Sequence, residues 1–511
     1  MLDAAYIENS PRRCARDRTA CWAATEKQHR ALTRYAARPW RTAASRVVRC
    51  LVLILYATGA TSATGSGFSD LENEIDTFVQ QEMQRQKVPG IAVAVIRGAD
   101  VLVARGYGEA NLELNVPVSR STIFQSGSIG KQFTAVAVMM EVEAGRLLLD
   151  ESVTKYFTDA PPAWRPITVR HLLTHTSGIP SYSTHDIDDR KDYTEDEFLK
   201  AAYALPLEFE PGTRWSYSNT GYAVLGFLIH KVSGRFYGDI LHDRVFVPLE
   251  MKTARIISEE DIVPNRAAGY RLLGGQIKNQ EWIAPTLNTT ADGSLYMCIN
   301  DYVAWDRGLR ANALLTPASW AEIYKPAVLK SGRTVPYGFG WNVEQSRGQP
   351  WYHHNGGAQG FATSISRYLG DDLTVIVLTN LAEADPSAFV DGISQAFDPT
   401  LAKLEPDSPI SDRSPDVTRR VRELLQKAGA GTLSRQDLAM VRRDYFPEEF
   451  DAAIALVRPL GEIERLDLLK RQQWGDDTQY WYRAAYKQQK LLVEVAFTPG
   501  GQVSSFYVDR K

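Results

Sequence analysis

The chain has 511 residues, 44% of them hydrophobic and 23% charged, with a formal net charge of -3. That describes an ordinary soluble globular protein, long enough for two or three domains with substantial cores. Eleven of the 58 Lys/Arg but only four of the 61 Asp/Glu fall in residues 1–50, so the remainder is acidic and excludes a nucleic-acid footprint.

Residues 46–63 run from Arg46 and Arg49 through Leu51-Val52-Leu53-Ile54-Leu55 to small residues, the order of a secretory signal. The apolar stretch is too short for a comfortable membrane span. We therefore read 1–65 as a signal or targeting segment, with cleavage near Ala60 to Ser66 and a periplasmic or secreted mature protein lacking a stable span. Because 45 residues precede the signal, an uncleaved anchor or an organelle transit peptide is the alternative. Cys14, Cys21 and Cys50 fall in or before it, which leaves Cys298 and no intramolecular disulfide.

Residues 91–96 and 101–104, around Arg97-Gly98-Ala99-Asp100, predict a hairpin. Next, Ser128-Ile129-Gly130-Lys131 sets a hydroxyl and an amine one helical turn apart where a helix begins, so Lys131 Nζ can reach Ser128 Oγ. The following Phe133-Thr134-Ala135-Val136-Ala137-Val138-Met139-Met140 is apolar nearly all round and predicts a buried helix. Burial lowers a lysine pKa, and a neutral amine can take a serine proton. A second Ser-x-x-Lys, Ser152 to Lys155, follows Leu149-Asp150-Glu151 and reads as a helix N-cap with its lysine in solvent.

Helical and loop-rich sequence fills 128–320. Within it His171 and His175 read as framework residues that fix a loop, and Trp215-Ser216-Tyr217-Ser218-Asn219 carries the only Tyr-x-Asn. Strands return at 338–343, 361–367 and 373–378. His354-Asn355-Gly356 is the only His-x-Gly among eight histidines, and His353 alternates to the other strand face, which argues against a metal pair. Neither His-Glu-x-x-His nor Cys-x-x-Cys occurs, so the sequence implies no metal and no cofactor. The Gly-x-Ser-x-Gly elbow of α/β-hydrolases is absent, as is a Gly-x-x-x-x-Gly-Lys-Ser/Thr loop. Pro399, Pro406, Pro409 and Pro415 mark a linker over 399–415. Beyond it, helical runs at 417–427, 436–443 and 448–457 and strand-like runs at 462–469, 479–486, 491–497 and 503–508 predict a small α+β domain, 416–511, with a structural or partner-binding role.

Ser128/Lys131, Tyr217/Asn219 and His354/Gly356, in that order, resemble the three motifs of the penicillin-recognising serine hydrolases. That group holds class C β-lactamases, DD-carboxypeptidases, D-aminopeptidases and related esterases. The likeness spans roughly 70–395 and includes Gly90-Ile91-Ala92-Val93-Ala94-Val95, His171-Leu172-Leu173-Thr174-His175-Thr176-Ser177-Gly178 and Tyr337-Gly338-Phe339-Gly340-Trp341. It implies a DD-peptidase/β-lactamase-like fold of α/β plus α type over 66–398: an antiparallel sheet built from both ends of the region, flanked by helices, with an all-helical insert.

The resemblance also implies roles. Ser128 attacks an acyl carbon, and Lys131 and Tyr217 share removal of its proton, which requires the Tyr217 phenol to fall toward neutrality under a nearby ammonium. Asn219, His354, Asn355 and Gly356 bind substrate, and the backbone N–H groups of Ser128 and Gly357 form the oxyanion hole. His354 and Asn355 replace the Lys and Thr of a good β-lactamase. The expectation is a hydrolase of ester, amide or D-peptide bonds on a small-molecule or peptide substrate. The alternatives are a penicillin-binding sensor without turnover, a peptidoglycan-binding protein, or a class C-type β-lactamase.

Overall fold

The computed structural model describes residues 63–182, 187–401, 408–442, 445 and 448–510. All but the end of the expected signal segment lies outside them, and helix α1 (Ala63–Gln86) opens the described chain. Among the described residues no helix is long and apolar enough to cross a membrane.

Strands β1 (Gly90–Arg97) and β2 (Asp100–Asn111) form the expected hairpin. With β3 (Val116–Pro117), β4 (Asn342–Ser346), β5 (Gln349–Ala358), β6 (Phe361–Tyr368) and β7 (Leu373–Thr379) they make a seven-stranded sheet in the order β4-β5-β6-β7-β1-β2-β3. Its pairings are antiparallel, and the two ends of the region meet where β1 pairs with β7.

β1 explains why the sheet is covered on both faces. Ile91, Val93 and Val95 enter one core, with Ile75 and Val79 of α1 and Phe389 and Ile393 of a later helix (Pro386–Phe397). Ala92, Ala94 and Ile96 enter the other, with the helices of the insert. A strand buried on both faces needs the near-continuous apolar run seen in its sequence. Helix α2 (Gly130–Glu143) is buried from Gly130 to Glu141, as its apolar sequence predicts. The insert also carries short strand pairs besides its helices: Ile123–Gln125 with Leu295–Cys298 and Arg255–Ile256, Tyr270–Leu273 with Gln276–Asn279, and Ala327–Val328 with Thr334–Val335.

The strand expected at 338–343 begins only at Asn342. Gly340 has φ +74, and a Cβ there would lie 2.8 Å from the Lys131 carbonyl carbon, so this segment turns against the start of α2 instead of pairing.

Beyond the linker, helices α3 (Pro415–Ala430) and α4 (Glu448–Val457) cover a separate antiparallel sheet of β8 (Arg465–Trp474), β9 (Asp477–Ala485), β10 (Lys490–Phe497) and β11 (Val503–Arg510). This module has its own core, including Val421, Leu424, Tyr482, Val493 and Phe506. The helix expected at 436–443 is only a turn, Arg435–Leu438. Asp437 caps it by accepting from the Ser434 N–H, and the Met440 N–H then donates to the Val503 carbonyl, which ties the chain to β11.

Candidate functional site

Ser128 sits in a 3-10 turn, Gly127–Ile129, at the entrance to α2. The turn lies against β5: a Cβ on Gly127, at φ +52, would fall 2.6 Å from the Gly357 nitrogen, so only glycine fits. Gly356 is equally constrained, since its Cβ would meet the Ser126 carbonyl oxygen at 2.1 Å. The two expected oxyanion donors, the N–H groups of Ser128 and Gly357, thus come from apposed segments. Both residues line one cavity of about 210 Å³, together with Asn219.

One turn into α2, Lys131 is fully buried. Its Nζ donates to Asn219 Oδ1 (2.8 Å) and to the Asp292 carbonyl (2.5 Å), and lies 3.0 Å from Ser128 Oγ. Burial outweighs the attraction of Asp292 and lowers the lysine pKa to about 8. A neutral amine has two N–H groups and one lone pair. With both N–H groups held by Asn219 and Asp292, the lone pair is left for the Ser128 hydroxyl, which is the arrangement a general base needs.

Tyr217 departs from expectation in one respect. Burial pushes its phenol pKa up, while the Ser128 hydroxyl and the Arg442 charge pull only partly back. The lysine amine stands over the ring face, 4.8 Å from its centroid, instead of beside the oxygen. The Tyr217 and Ser128 hydroxyls are within electrostatic reach of each other, but the Tyr217 oxygen has no partner in hydrogen-bond geometry among the described residues. Burial thus favours the protonated phenol at Tyr217 over the phenolate.

His354 stands apart from the cavity that holds Ser128. It is buried, lines neither this cavity nor a larger one beyond Tyr217, and has its pKa lowered to about 3 by burial and by the charge of Lys131. A run of hydrogen bonds fixes its ring. The Ser218 N–H donates to His175 Nδ1 (3.1 Å), so His175 Nε2 carries the proton and donates to the Tyr337 hydroxyl (3.2 Å). Tyr337 in turn donates to His354 Nε2 (3.0 Å), leaving His354 Nδ1 to donate to the Asn355 carbonyl (2.6 Å). His354 thus joins the Tyr217–Asn219 segment to the strand bearing Gly357, and its burial favours the neutral imidazole. Asn355, one position along the strand, points to the opposite face, where its Nδ2 donates to Ser387 Oγ (2.8 Å). It does not line the cavity that holds Ser128. Gly356 contributes through its close backbone approach.

His175, at φ +57, and His171, which accepts from the Thr168 N–H in a capping box, are the framework residues their setting suggests. Ser152 is the N-cap of a short 3-10 turn, and Lys155 pairs with Glu151 in solvent. Asp292 and Gly293 went unassigned in the sequence, and Tyr337 reads there only as part of a framework segment. Asp292-Gly293 belongs to none of the motifs found there, yet a Cβ on Gly293 would lie 2.7 Å from the Gly127 carbonyl carbon. Among the described residues no group of three or more His, Cys, Asp or Glu is placed to hold a metal.

Residues 75–397, more than half of the chain, match the family described as Beta-lactamase. The chain belongs to the Beta-lactamase family. It is 28% identical over 330 residues to Penicillin-binding protein 4* of Bacillus subtilis (strain 168), covering 60% of this chain and 72% of that protein. It is 29% identical over 315 residues to the D-aminopeptidase of Brucella anthropi, covering 60% of this chain and 59% of that protein. The D-amino acid amidase from Ochrobactrum anthropi SV3 superposes with a TM-score of 0.58 at 25% identity, over 65% of this chain and 99% of its own. The octameric penicillin-binding protein homologue from Pyrococcus abyssi shares the fold, with a TM-score of 0.57 at 22% identity over 86% of this chain and 98% of its own. The chain is thus a member of a serine hydrolase family with D-aminopeptidase, amidase and penicillin-binding relatives.

Proposed function

We propose that the protein hydrolyses amide or ester bonds of substrates with a D-amino-acyl group, through an acyl-enzyme on Ser128. The observation that carries this reading is the buried Lys131 amine, whose N–H groups are engaged and whose third position faces Ser128 Oγ. Lys131 takes the serine proton as Oγ attacks the acyl carbon. The Ser128 and Gly357 N–H groups hold the oxyanion. As the bond to the leaving group breaks, the Lys131 ammonium, which holds the serine proton, returns it to that group. Water then cleaves the acyl-enzyme.

The acyl-side cavity supports a cationic acyl group. Asp189 and Asp292 line it, and no Lys, Arg or His does so among the described residues. An α-ammonium suits such walls, and a β-lactam carboxylate does not. The relatives named D-aminopeptidase and D-amino acid amidase supply the D configuration. The signal-like order of 46–63 supports a reaction outside the cytoplasm.

The test is a comparison of D-phenylalaninamide, its L enantiomer, N-acetyl-D-phenylalaninamide, 4-nitrophenyl acetate and nitrocefin. Hydrolysis of the first is expected, with kcat/KM lower by about 10-fold or more for the enantiomer and for the acetylated compound, which lacks the charge. Turnover of nitrocefin well above that of the D-amide would overturn the proposal.

A further inference from the structure

We infer that the C-terminal module completes the catalytic centre: the turn between β8 and β9 holds the segment 215–219 in place around Lys131, with Trp474 as the positioning residue. The inference rests on the proposed role of Lys131 as base, because that segment supplies two of the groups that surround the amine. Asn219 Oδ1 accepts from Nζ (2.8 Å), and the centroid of the Tyr217 ring lies 4.8 Å from it.

Residues 214–218 belong to neither helix nor strand, so no ladder of backbone bonds fixes them. They rest on His175 instead. Its carbonyl accepts from the Ser216 N–H (2.9 Å) and its Nδ1 from the Ser218 N–H (3.1 Å), while its ring lies on that of Tyr217 at 4.2 Å between centroids. Trp215 joins this cluster, edge to face with His175 at 6.1 Å and 5.8 Å from the Tyr337 ring. Packed rings hold one geometry only while their neighbours fill the space around them. The neighbour that the module supplies is Trp474, which meets Trp215 edge to face at 5.7 Å.

The turn that carries Trp474 is firmly seated. Gln473 Nε2 donates to the Gly475 (3.0 Å) and Asp477 (2.7 Å) carbonyls and sets its shape. The Gly475 N–H donates to the Thr334 carbonyl (3.1 Å), and at φ +58 a Cβ there would lie 2.7 Å from Leu329 Cδ1 and 3.0 Å from Val335 Cγ2, so the backbone itself makes the contact. Asp477 pairs with Arg214 at 3.5 Å and Asp476 with Arg333 at 3.4 Å. Trp474 does not line the cavity around Ser128, so its influence passes through Trp215 and Tyr217 to the amine. The other groups that face Lys131 are Asp292, the Tyr222 ring, and the imidazoles of His175 and His354, whose pKa values burial lowers.

The experiment follows kcat/KM against pH for 4-nitrophenyl acetate, which carries no titrating group, in the full-length wild type, Trp474→Ala, Trp474→Phe and Gly475→Val. The wild type should rise through about pH 8. With the Trp474 ring gone the segment loosens, water reaches the amine, and the Lys131 pKa returns part of the way to its ordinary value. The midpoint in Trp474→Ala should therefore move up by about one unit, which lowers the rate at pH 7 by about 10-fold and costs less above the midpoint. Trp474→Phe, which keeps a ring against Trp215, should restore most of the wild-type profile. Gly475→Val, which keeps Trp474 but puts a branched side chain where only glycine fits, should behave like Trp474→Ala. Thermal melting identifies the folded variants, and either of these two substitutions alone decides the question. Midpoints that stay at the wild-type value, or a loss equal at every pH, would overturn the inference. Labelling of Ser128 by a fluorophosphonate, measured alongside, tells whether the reading beneath it falls too. An unlabelled wild type, or one whose rate is flat from pH 6 to 9, removes both, whereas a labelled, pH-dependent wild type with unmoved variants leaves that reading standing.

Discussion

Ser128→Ala should lower kcat/KM by about 10⁴-fold or more while the protein stays folded, the loss expected when a nucleophile is removed and an oxyanion hole remains. The side chain is small and only partly buried, and its hydroxyl lies in hydrogen-bond reach of Lys131. Its removal therefore leaves the packing of Ile129 and Phe133 behind it untouched. Ser152→Ala is the matched control. That hydroxyl accepts from the Thr154 N–H and donates to the Arg165 carbonyl, and Ser152 does not line the Ser128 cavity, so turnover should be unchanged. Thermal melting of both variants checks that the fold persists. Residual activity of Ser128→Ala within a few-fold of wild type, about 1 kcal/mol or less in transition-state free energy, would remove Ser128 from the mechanism.

Lys131 carries the second large effect. With its pKa lowered to about 8, the reactive neutral amine grows as pH rises, so kcat/KM should climb through pH 8 and level off above it. At pH 7 roughly one amine in ten is neutral, against fewer than one in a thousand for a lysine titrating at its ordinary value. Lys131→Ala should cost about 10²- to 10⁴-fold, mainly in kcat. Lys131→Arg should fare no better, because a guanidinium does not deprotonate in this range. The same shift bears on stability. The folded state binds fewer protons at Lys131 than the unfolded state between pH 8 and the ordinary lysine pKa of 10.5, so this residue's contribution rises with pH across that window. Below pH 8 the cost of burying the ammonium is fully present. A pH-independent rate between 6 and 9 would show that Lys131 is not the base.

Much of this was legible because the chemistry is written in local spacing. Ser128 and Lys131 share one helical turn, and the apolar run after them announces the burial that lowers the amine pKa. The two-sided burial of β1 follows from its unbroken apolar run. What the sequence hid lies in contacts between distant segments. Asp292 and Gly293 matter through a carbonyl and a missing Cβ, neither of which leaves a pattern. His354 and Asn355 are adjacent in sequence but face opposite sides of β5, and only the placement of Tyr337 and Ser387 decides which side reaches the site. The Tyr217 phenol looked ready for a lowered pKa because an ammonium stood nearby, yet the amine lies over its ring face and burial prevails. The contact of Trp474 with Trp215 joins residues more than 250 positions apart, beyond any reach of periodicity.

The central claim is that Ser128 forms and releases an acyl-enzyme, and time-resolved intact-mass spectrometry with peptide mapping tests it most directly. On mixing with 4-nitrophenyl acetate, the wild type should gain one acetyl group on the peptide containing Ser128 within the first turnovers. That mass should then disappear as substrate is consumed and free enzyme returns, with no adduct at any time in Ser128→Ala. An adduct on another residue, or steady turnover with Ser128 never modified, would contradict the account.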